Sequence, residues 1–306
     1  MKTNRFRRGL LAALVIAAVA VPVSAAARPE TPAPQPVAFG ASATPEGRYA
    51  ANRENAAEAA RMAEDHGDRK RASRLRALAA PDRQLLAFDG RGSGRTVEVL
   101  GDLGRAERIA VLVPGADTSI DTYGRLRAGA TALHDRLGPS VAVVAWLGYE
   151  TPGTISSDAL TPERAEGAAP ALRDFVRELR RHSPRAEVSA LCHSYGSVVC
   201  AHAARGLDVD DLVLYGSPGT GFDSVAELGT GARVWAGRGG DDWIADVPHT
   251  SVELFGAEVG FGTDPVSPAF GARSFDAGDG GHSDYLRPGS ESLAGIARIV
   301  RGQAHA

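Results

Sequence analysis

The sequence predicts an α/β protein, a mostly parallel sheet with helices on both faces and a helical arm on its N-terminal side. Two observations carry that expectation. From residue 84 onward, short apolar runs alternate with amphipathic stretches of helical period, and strands buried on both faces read as continuous apolar runs. Two strand-like runs open this part of the chain, and alternating β and α segments follow them, which is the pattern of a parallel sheet covered on both sides.

The opening strands are QLLAF at 84–88 and RTVEVL at 95–100. Between them lies GRGSGR, which has no helix after it and so offers no cradle for a phosphate. RIAVLV at 108–113 is followed by a helical pattern at 122–136, VAVVAW at 141–146 by one at 162–182, and EVSALC at 187–192 by one at 195–205. DLVLY at 211–215, ARVWA at 232–236 and ARSF at 272–275 complete the strands, and a last helical pattern spans 290–301. Residues 52–80 are rich in helix formers, charged on one side and interrupted at Gly67, so one or two surface helices packed on the domain are expected there. Ligands of such sheets bind at the carboxyl ends of the strands.

The N-terminus carries an address. Lys2, Arg5, Arg7 and Arg8 precede an apolar run at 9–23, and SAAA and a charged, Pro-rich stretch come after it, the three-part layout of a secretory signal. The run falls short of the roughly 20 residues that a spanning helix needs and contains Pro22. A signal peptide over 1–26 is therefore expected, cleaved near Ala25 to Ala27, with no stable membrane span afterwards and a secreted or cell-envelope location. Arg7-Arg8 leaves the export route open between the general and twin-arginine pathways. Residues 27–50, rich in Pro and Ala, are expected as a linker, and 51–303 as one folded domain that includes the arm.

At 306 residues, with 43% hydrophobic and 23% charged residues, the chain can bury a sizeable core, and its formal net charge of -3 leaves no basic footprint for nucleic acid. Arginine supplies nearly all the positive charge, since Lys2 and Lys70 are the only lysines. With the abundant alanine and glycine, this points to a GC-rich genome.

Chemistry concentrates at LCHSYGSVVC, residues 191–200. Ser194 stands between an expected strand and an expected helix, with Gly196 two places on, as in the G-x-S-x-G turn that lifts a serine hydroxyl out of a sheet. Taken alone, the serine could equally cap the helix that follows. A serine hydroxyl needs a base to take its proton, and in the order Ser, Asp or Glu, His the partners lie downstream at strand ends. GRGGDDWI after the strand at 232–236 offers Asp241 and Asp242, and GHSDY offers His282. Asp242 is favoured because Trp243-Ile244 would form an apolar anchor turning the carboxylate into the site; Asp264 is the rival. Pro114-Gly115, ending the strand at 108–113, would aim the Ala116 amide at the same place as the Tyr195 amide, giving an oxyanion hole.

The set VLVPGADTSI, CHSYGS, YGSPG, GDDWI, DPVSPAFGA and GHSDYL resembles an α/β-hydrolase family of unknown function frequent among exported proteins of high-GC Gram-positive bacteria. The likeness covers roughly residues 52 to 300. Its members usually show Gly-His-Ser-Tyr-Gly at the elbow, so Cys192 is a departure. The resemblance implies the α/β-hydrolase fold and a Ser194, Asp242, His282 triad. It implies no substrate.

These readings make the chain an exported serine hydrolase acting on a small-molecule or lipid ester through an acyl-enzyme. Acyl transfer to a cell-envelope alcohol, or ligand binding without catalysis on the same fold, are the alternatives. No cofactor is expected, and no metal, because Cys192, His193, Cys200 and His202 match no common zinc spacing. Oligomeric state is left open. The loop at 147–161 and the stretch 243–271 are expected to wall the pocket with Tyr149, Ile155, Phe255 and Phe261, and 217–231 is too short for a large cap. Cys192 and Cys200 are expected at matching heights on neighbouring strand and helix. They either form a disulfide, which needs Cα atoms about 4.4 to 6.8 Å apart, or fill the space under the elbow as small apolar side chains.

Overall fold

Strand residues alternate between two cores. Ile109, Val111 and Val113 belong to one, Ala110 and Leu112 to the other, because successive side chains of a strand point to opposite faces. The computed structural model describes residues 30–40, 43–154, 156–159, 161–247, 252–254, 257–259 and 261–304. Contacts divide the chain into Met1–Thr31 and Pro32–Ala306. Of the first unit only Glu30 and Thr31 are described, so the expected signal segment lies outside the described residues.

The second unit is built on an eight-stranded sheet. In chain order the elements are α1 Pro45–Asp65, α2 Arg69–Leu78, β1 Gln84–Asp89, β2 Arg95–Leu100, β3 Arg108–Val113, α3 Gly124–Leu137, β4 Val141–Leu147, α4 Glu163–His182 and β5 Glu187–His193. They continue with α5 Tyr195–Ala204, β6 Asp211–Tyr215, α6 Val225–Leu228, β7 Arg233–Gly237, β8 Val252–Leu254, β9 Ala257–Val259, β10 Arg273–Ser274 and α7 Glu291–Val300. The strand order is β1-β2-β4-β3-β5-β6-β7-β10. Only β1 with β2 and β2 with β4 run antiparallel; every other neighbour in this sheet is parallel. Helices α4 and α5 bury Leu172, Val176 and Val198 in one core, while α1, α3 and α7 bury Ala59, Leu133 and Ile296 in the other. This is an α/β-hydrolase fold, as expected. The short α6, the β8–β9 hairpin and two 3-10 turns, Ser157–Ala159 and Trp243–Asp246, had no periodic signal in the sequence.

The N-terminal part corrects one boundary. A linker was expected through residue 50, but α1 begins at Pro45, with the Thr44 hydroxyl accepting from the Gly47 amide at 3.2 Å. Threonine followed by proline at the first helical position is a start signal that an Ala- and Pro-rich background hides. The break at Gly67 is present, at φ 88. The arm is sewn to the sheet rather than merely laid on it: Asn52 Nδ2 donates to the Leu85 carbonyl at 2.9 Å, and Arg71 donates to the carbonyls of Gly90 and Gly92. Part of the expected linker is pinned too, the Gln35 carbonyl accepting from Asn55 Nδ2 at 2.9 Å.

The two cysteines form a disulfide between β5 and α5, with Cα atoms 6.4 Å apart and both residues fully buried. Closing an eight-residue separation constrains the unfolded chain by roughly 2.5 kcal/mol on the loop-entropy estimate. The denatured, unreduced protein should therefore show no free thiol. The Cys192→Ala/Cys200→Ala variant should lose about 2 to 3 kcal/mol in chemical denaturation; two titratable thiols in the unreduced wild type would contradict the bridge.

Candidate active site

Parallel register brings four strand ends level. Val113 pairs with Cys192, His193 with Tyr215, and Tyr215 with Gly237, so the turns that begin at Pro114, Ser194, Gly216 and Arg238 open on one edge of the sheet. Ser194 lies just past β5 with φ 54 and ψ -127, a conformation that non-glycine residues rarely adopt and that costs on the order of 1–3 kcal/mol. Its amide donates to the Tyr215 carbonyl at 3.0 Å. The turn also needs two residues without side chains. A Cβ on Gly196 would sit 2.4 Å from the Val113 carbonyl oxygen, and one on Gly115 would sit 2.6 Å from the Ser194 Cβ.

His282 sits in an irregular loop between β10 and α7. Its Nε2 is 2.9 Å from the Ser194 Oγ, and its Nδ1 is 2.9 and 3.1 Å from the two carboxylate oxygens of Asp242. Asp242 is buried beyond β7 and accepts two further hydrogen bonds, from the Ile244 amide at 2.9 Å and from the Tyr285 hydroxyl at 2.5 Å. Burial pushes its pKa up, but the hydrogen bonds from His282, Tyr285 and Ile244 together outweigh burial and hold it below the ordinary aspartate value. The Tyr285 hydroxyl, raised well above its usual range by burial and by Asp242, stays a donor, and it accepts in turn from the Gly239 amide at 3.0 Å. With Nδ1–H fixed on the carboxylate, Nε2 is free to accept the serine proton, which is the arrangement that makes a hydroxyl nucleophilic.

His193, next to the serine, is half-buried and packs against the His282, Tyr215 and Tyr285 rings at centroid distances of 4.8, 5.1 and 5.6 Å. Its Nε2 donates to the His282 carbonyl at 2.8 Å, tying the loop of the imidazole to the turn of the serine. Burial first, and the neighbouring His282 second, press its pKa down to about 3. It is neutral.

Ala116 and Tyr195 flank the serine. Tyr195 opens α5, so its amide belongs to the first turn, where no intrahelical partner exists. Ala116 follows the close Gly115 approach and precedes Asp117, whose φ of 56 and amide bond to the Pro152 carbonyl at 2.9 Å shape that turn. The rival acids lie elsewhere. Asp264 bonds Arg238 at 2.5 Å and accepts from the Val266 amide, and Asp241 is exposed.

A cavity of about 620 Å³ opens over the serine, with Leu126, Pro218, Phe261 and Leu286 among its walls. Phe261 was expected there. Tyr149 is not a wall: it is buried, and its hydroxyl donates to the Pro114 carbonyl at 2.7 Å, bracing the turn that carries Ala116. Ile155 and Phe255 lie outside the described residues. The contributions of α3 and of Leu286 escaped the sequence, because only the folded sheet brings them to the serine. Trp243 is a second correction. It is not a buried anchor; Ile244 fills that role at 3% exposure, while Trp243 is 50% exposed. The disulfide removes both cysteines as thiolate ligands, and no group of three or more potential ligands could hold a metal ion among the described residues. No helix among the described residues is long and apolar enough to cross a membrane.

A strained serine between a parallel strand and a helix, at the carboxyl edge of this sheet, defines an α/β-hydrolase architecture. The chain belongs to the alpha/beta hydrolase family, whose model matches residues 89–252, a span that holds Ser194 and Asp242 but ends before His282. An uncharacterized protein of Mycobacterium tuberculosis is 32% identical over 262 residues, covering 72% of this chain and 40% of that protein. One from Mycobacterium bovis is 34% identical over 187 residues, covering 54% of this chain and 70% of its own. The chain thus spans about 40% of the length of the first of these relatives. Among solved structures, esterase PE8 is similar at TM-score 0.45 and 15% identity, covering 67% of this chain and 97% of that one. An α/β serine hydrolase without lid from Xanthomonas campestris is similar at TM-score 0.45 and 18% identity, covering 73% and 94%.

The lowered pKa of His193 has a consequence for acid stability. Unfolded, it takes a proton near its ordinary value of 6.5, whereas folded it does so only near 3, so between those values the unfolded chain binds more protons and stability falls as pH falls. Asp242, with its lowered pKa, adds loss in the same direction below the ordinary aspartate value of 3.8. Denaturation measured between pH 7 and 4 should show His193→Gln with a shallower loss than wild type, by up to one proton in the slope. Equal slopes would mean that His193 is not held neutral.

Proposed function

We propose that this protein is an exported serine hydrolase acting on carboxylic esters, with Ser194 as nucleophile, His282 as general base and acid, Asp242 as the group that orients the imidazole, and the amides of Ala116 and Tyr195 as the oxyanion hole. The observation that carries the reading is the unbroken hydrogen-bond chain from Asp242 through His282 to Ser194. Ser194 Oγ attacks the ester carbonyl carbon as its proton passes to His282 Nε2, and the negative charge on the carbonyl oxygen falls to the two amides. Collapse of the intermediate breaks the carbon–alcohol oxygen bond, and His282 gives its proton to the departing alcohol. Water then attacks the acyl-enzyme, yields a proton to His282, and leaves as the carboxylic acid when that proton returns to Ser194. The apolar walls Leu126, Phe261 and Leu286 suit an ester with an apolar portion. Export is supported by the basic, apolar and small-residue order of residues 2–27 and by the disulfide, which suits an oxidising compartment.

Ser194→Ala should abolish both ester hydrolysis and labelling by a fluorophosphonate probe while leaving the melting temperature close to wild type, because it removes one hydroxyl and no core volume. Labelling that survives the substitution would remove Ser194 from the role. Asp242→Asn should lower kcat by about 10³ to 10⁴, since an amide cannot hold the imidazole in the required tautomer. Asp241→Asn and Asp264→Asn should stay within several-fold of wild type on a series of p-nitrophenyl esters, and a similar collapse for Asp264→Asn would overturn the choice of acid.

A further inference from the structure

Two rings flank the His282 imidazole. His193 is half-buried and is explained by its bond to the His282 carbonyl. Trp243 lies as close, with ring centroids 4.6 Å apart and planes at 48°, and nothing in the fold explains it. With Val37 it is one of two large hydrophobic side chains left exposed among the described residues. Ile244 already anchors the turn, and an indole in water contributes little to folding, so its place on the cavity wall beside the imidazole points to a ligand.

We propose that Trp243 forms the alcohol subsite, and that this site takes esters whose alcohol portion is flat and apolar, an aryl alcohol above all. The proposal rests on the serine-hydrolase reading and follows from the geometry of that reaction. Once the carbonyl carbon is bonded to Ser194 Oγ and its oxygen faces the amides of Ala116 and Tyr195, the alcohol oxygen must lie at His282 Nε2, which protonates it. The group attached to that oxygen therefore passes along the imidazole, and the indole, which packs on that ring and lines the same cavity, is the aromatic surface beside it. Phe261 belongs to the side of the nucleophile helix instead, its ring meeting Tyr195 edge-on at 5.9 Å. An aryl group stacked on Trp243 shields the exposed indole, and offset or tilted ring pairs of this kind attract beyond their buried area.

The test compares two esters of one acid, 1-naphthyl butyrate and ethyl butyrate, and reads the ratio of their kcat/KM values in wild type, Trp243→Ala and Trp243→Phe. A disturbance of His282 as general acid penalises ethanol, the poorer leaving group, more than naphthol, so it would raise the naphthyl-to-ethyl ratio rather than lower it. The ratio should fall at least ten-fold in Trp243→Ala and be largely restored in Trp243→Phe. An unchanged ratio overturns the proposal, and so does a loss that grows from butyrate to octanoate at a fixed alcohol, which would assign the indole to the acyl chain. A second readout needs no turnover: calorimetric binding of 1-naphthol to Ser194→Ala protein should weaken at least ten-fold when Trp243→Ala is added. Absence of fluorophosphonate labelling in the wild type would sink the hydrolase reading by itself, and naphthol binding independent of Trp243 would sink the subsite.

Discussion

The strained backbone at Ser194 is the constraint on which the rest of the structure depends. A φ of 54 on a residue with a side chain persists only where the surroundings over-determine it, and here they do so from three directions. The Ser194 amide is spent on the Tyr215 carbonyl, Gly196 lets α5 close on the Val113 carbonyl, and Gly115 lets the neighbouring turn close on the serine itself. One of these contacts comes from the end of β6 and two from the end of β3, so the pose of one hydroxyl is fixed by the register of β3, β5 and β6 together. Stability elsewhere in the sheet is what holds the serine where its own backbone preference would not.

Asp242 shows how the same edge handles charge. A carboxylate out of water is costly unless its lone pairs are filled, and here three donors from the Ile244 amide, the Tyr285 hydroxyl and the His282 ring fill them. The Ile244 amide is local, the Tyr285 hydroxyl comes from the same loop as His282, and the third donor is the imidazole itself. The outcome is an acid kept ionised inside the protein whose remaining capacity points at one ring. His193 performs the complementary task with no charge at all, fastening the His282 main chain to the nucleophile turn. Together they give position to a histidine whose own loop has no regular structure to hold it.

Much of this was legible in the sequence because sheet and helix periods differ. VAVVAW at 141–146 and EVSALC at 187–192 are too short and too apolar for exposed helices, and both are strands within a residue of the expected ends. Ser194, Asp242 and His282 could be put forward together because each follows such a strand, and strand ends converge. Trp243 was misread for the same local reason that Asp242 was preferred to its neighbours. The pair Trp243-Ile244 reads as one apolar unit, but a turn exposes one residue and buries its neighbour, and which of them goes inside depends on β7 and the His282 loop. Tyr149 was misread because an aromatic in a loop near a site looks like a wall, whereas its hydroxyl found the Pro114 carbonyl. Leu126 and Leu286 were invisible, since their nearness to the serine is a property of α3 packing against a loop some 160 residues away.

The bridge under the elbow also bears on how such a sequence can drift. Cys192 stands where the related elbow pattern has glycine, and its sulfur is used up by Cys200 one helical stretch later. Replacing either cysteine alone releases the whole cross-link and leaves the other sulfur as a free thiol in a fully buried space. The two positions are thus coupled through one covalent bond, and the turn beneath Ser194 reaches this cross-linked form only where thiols are oxidised.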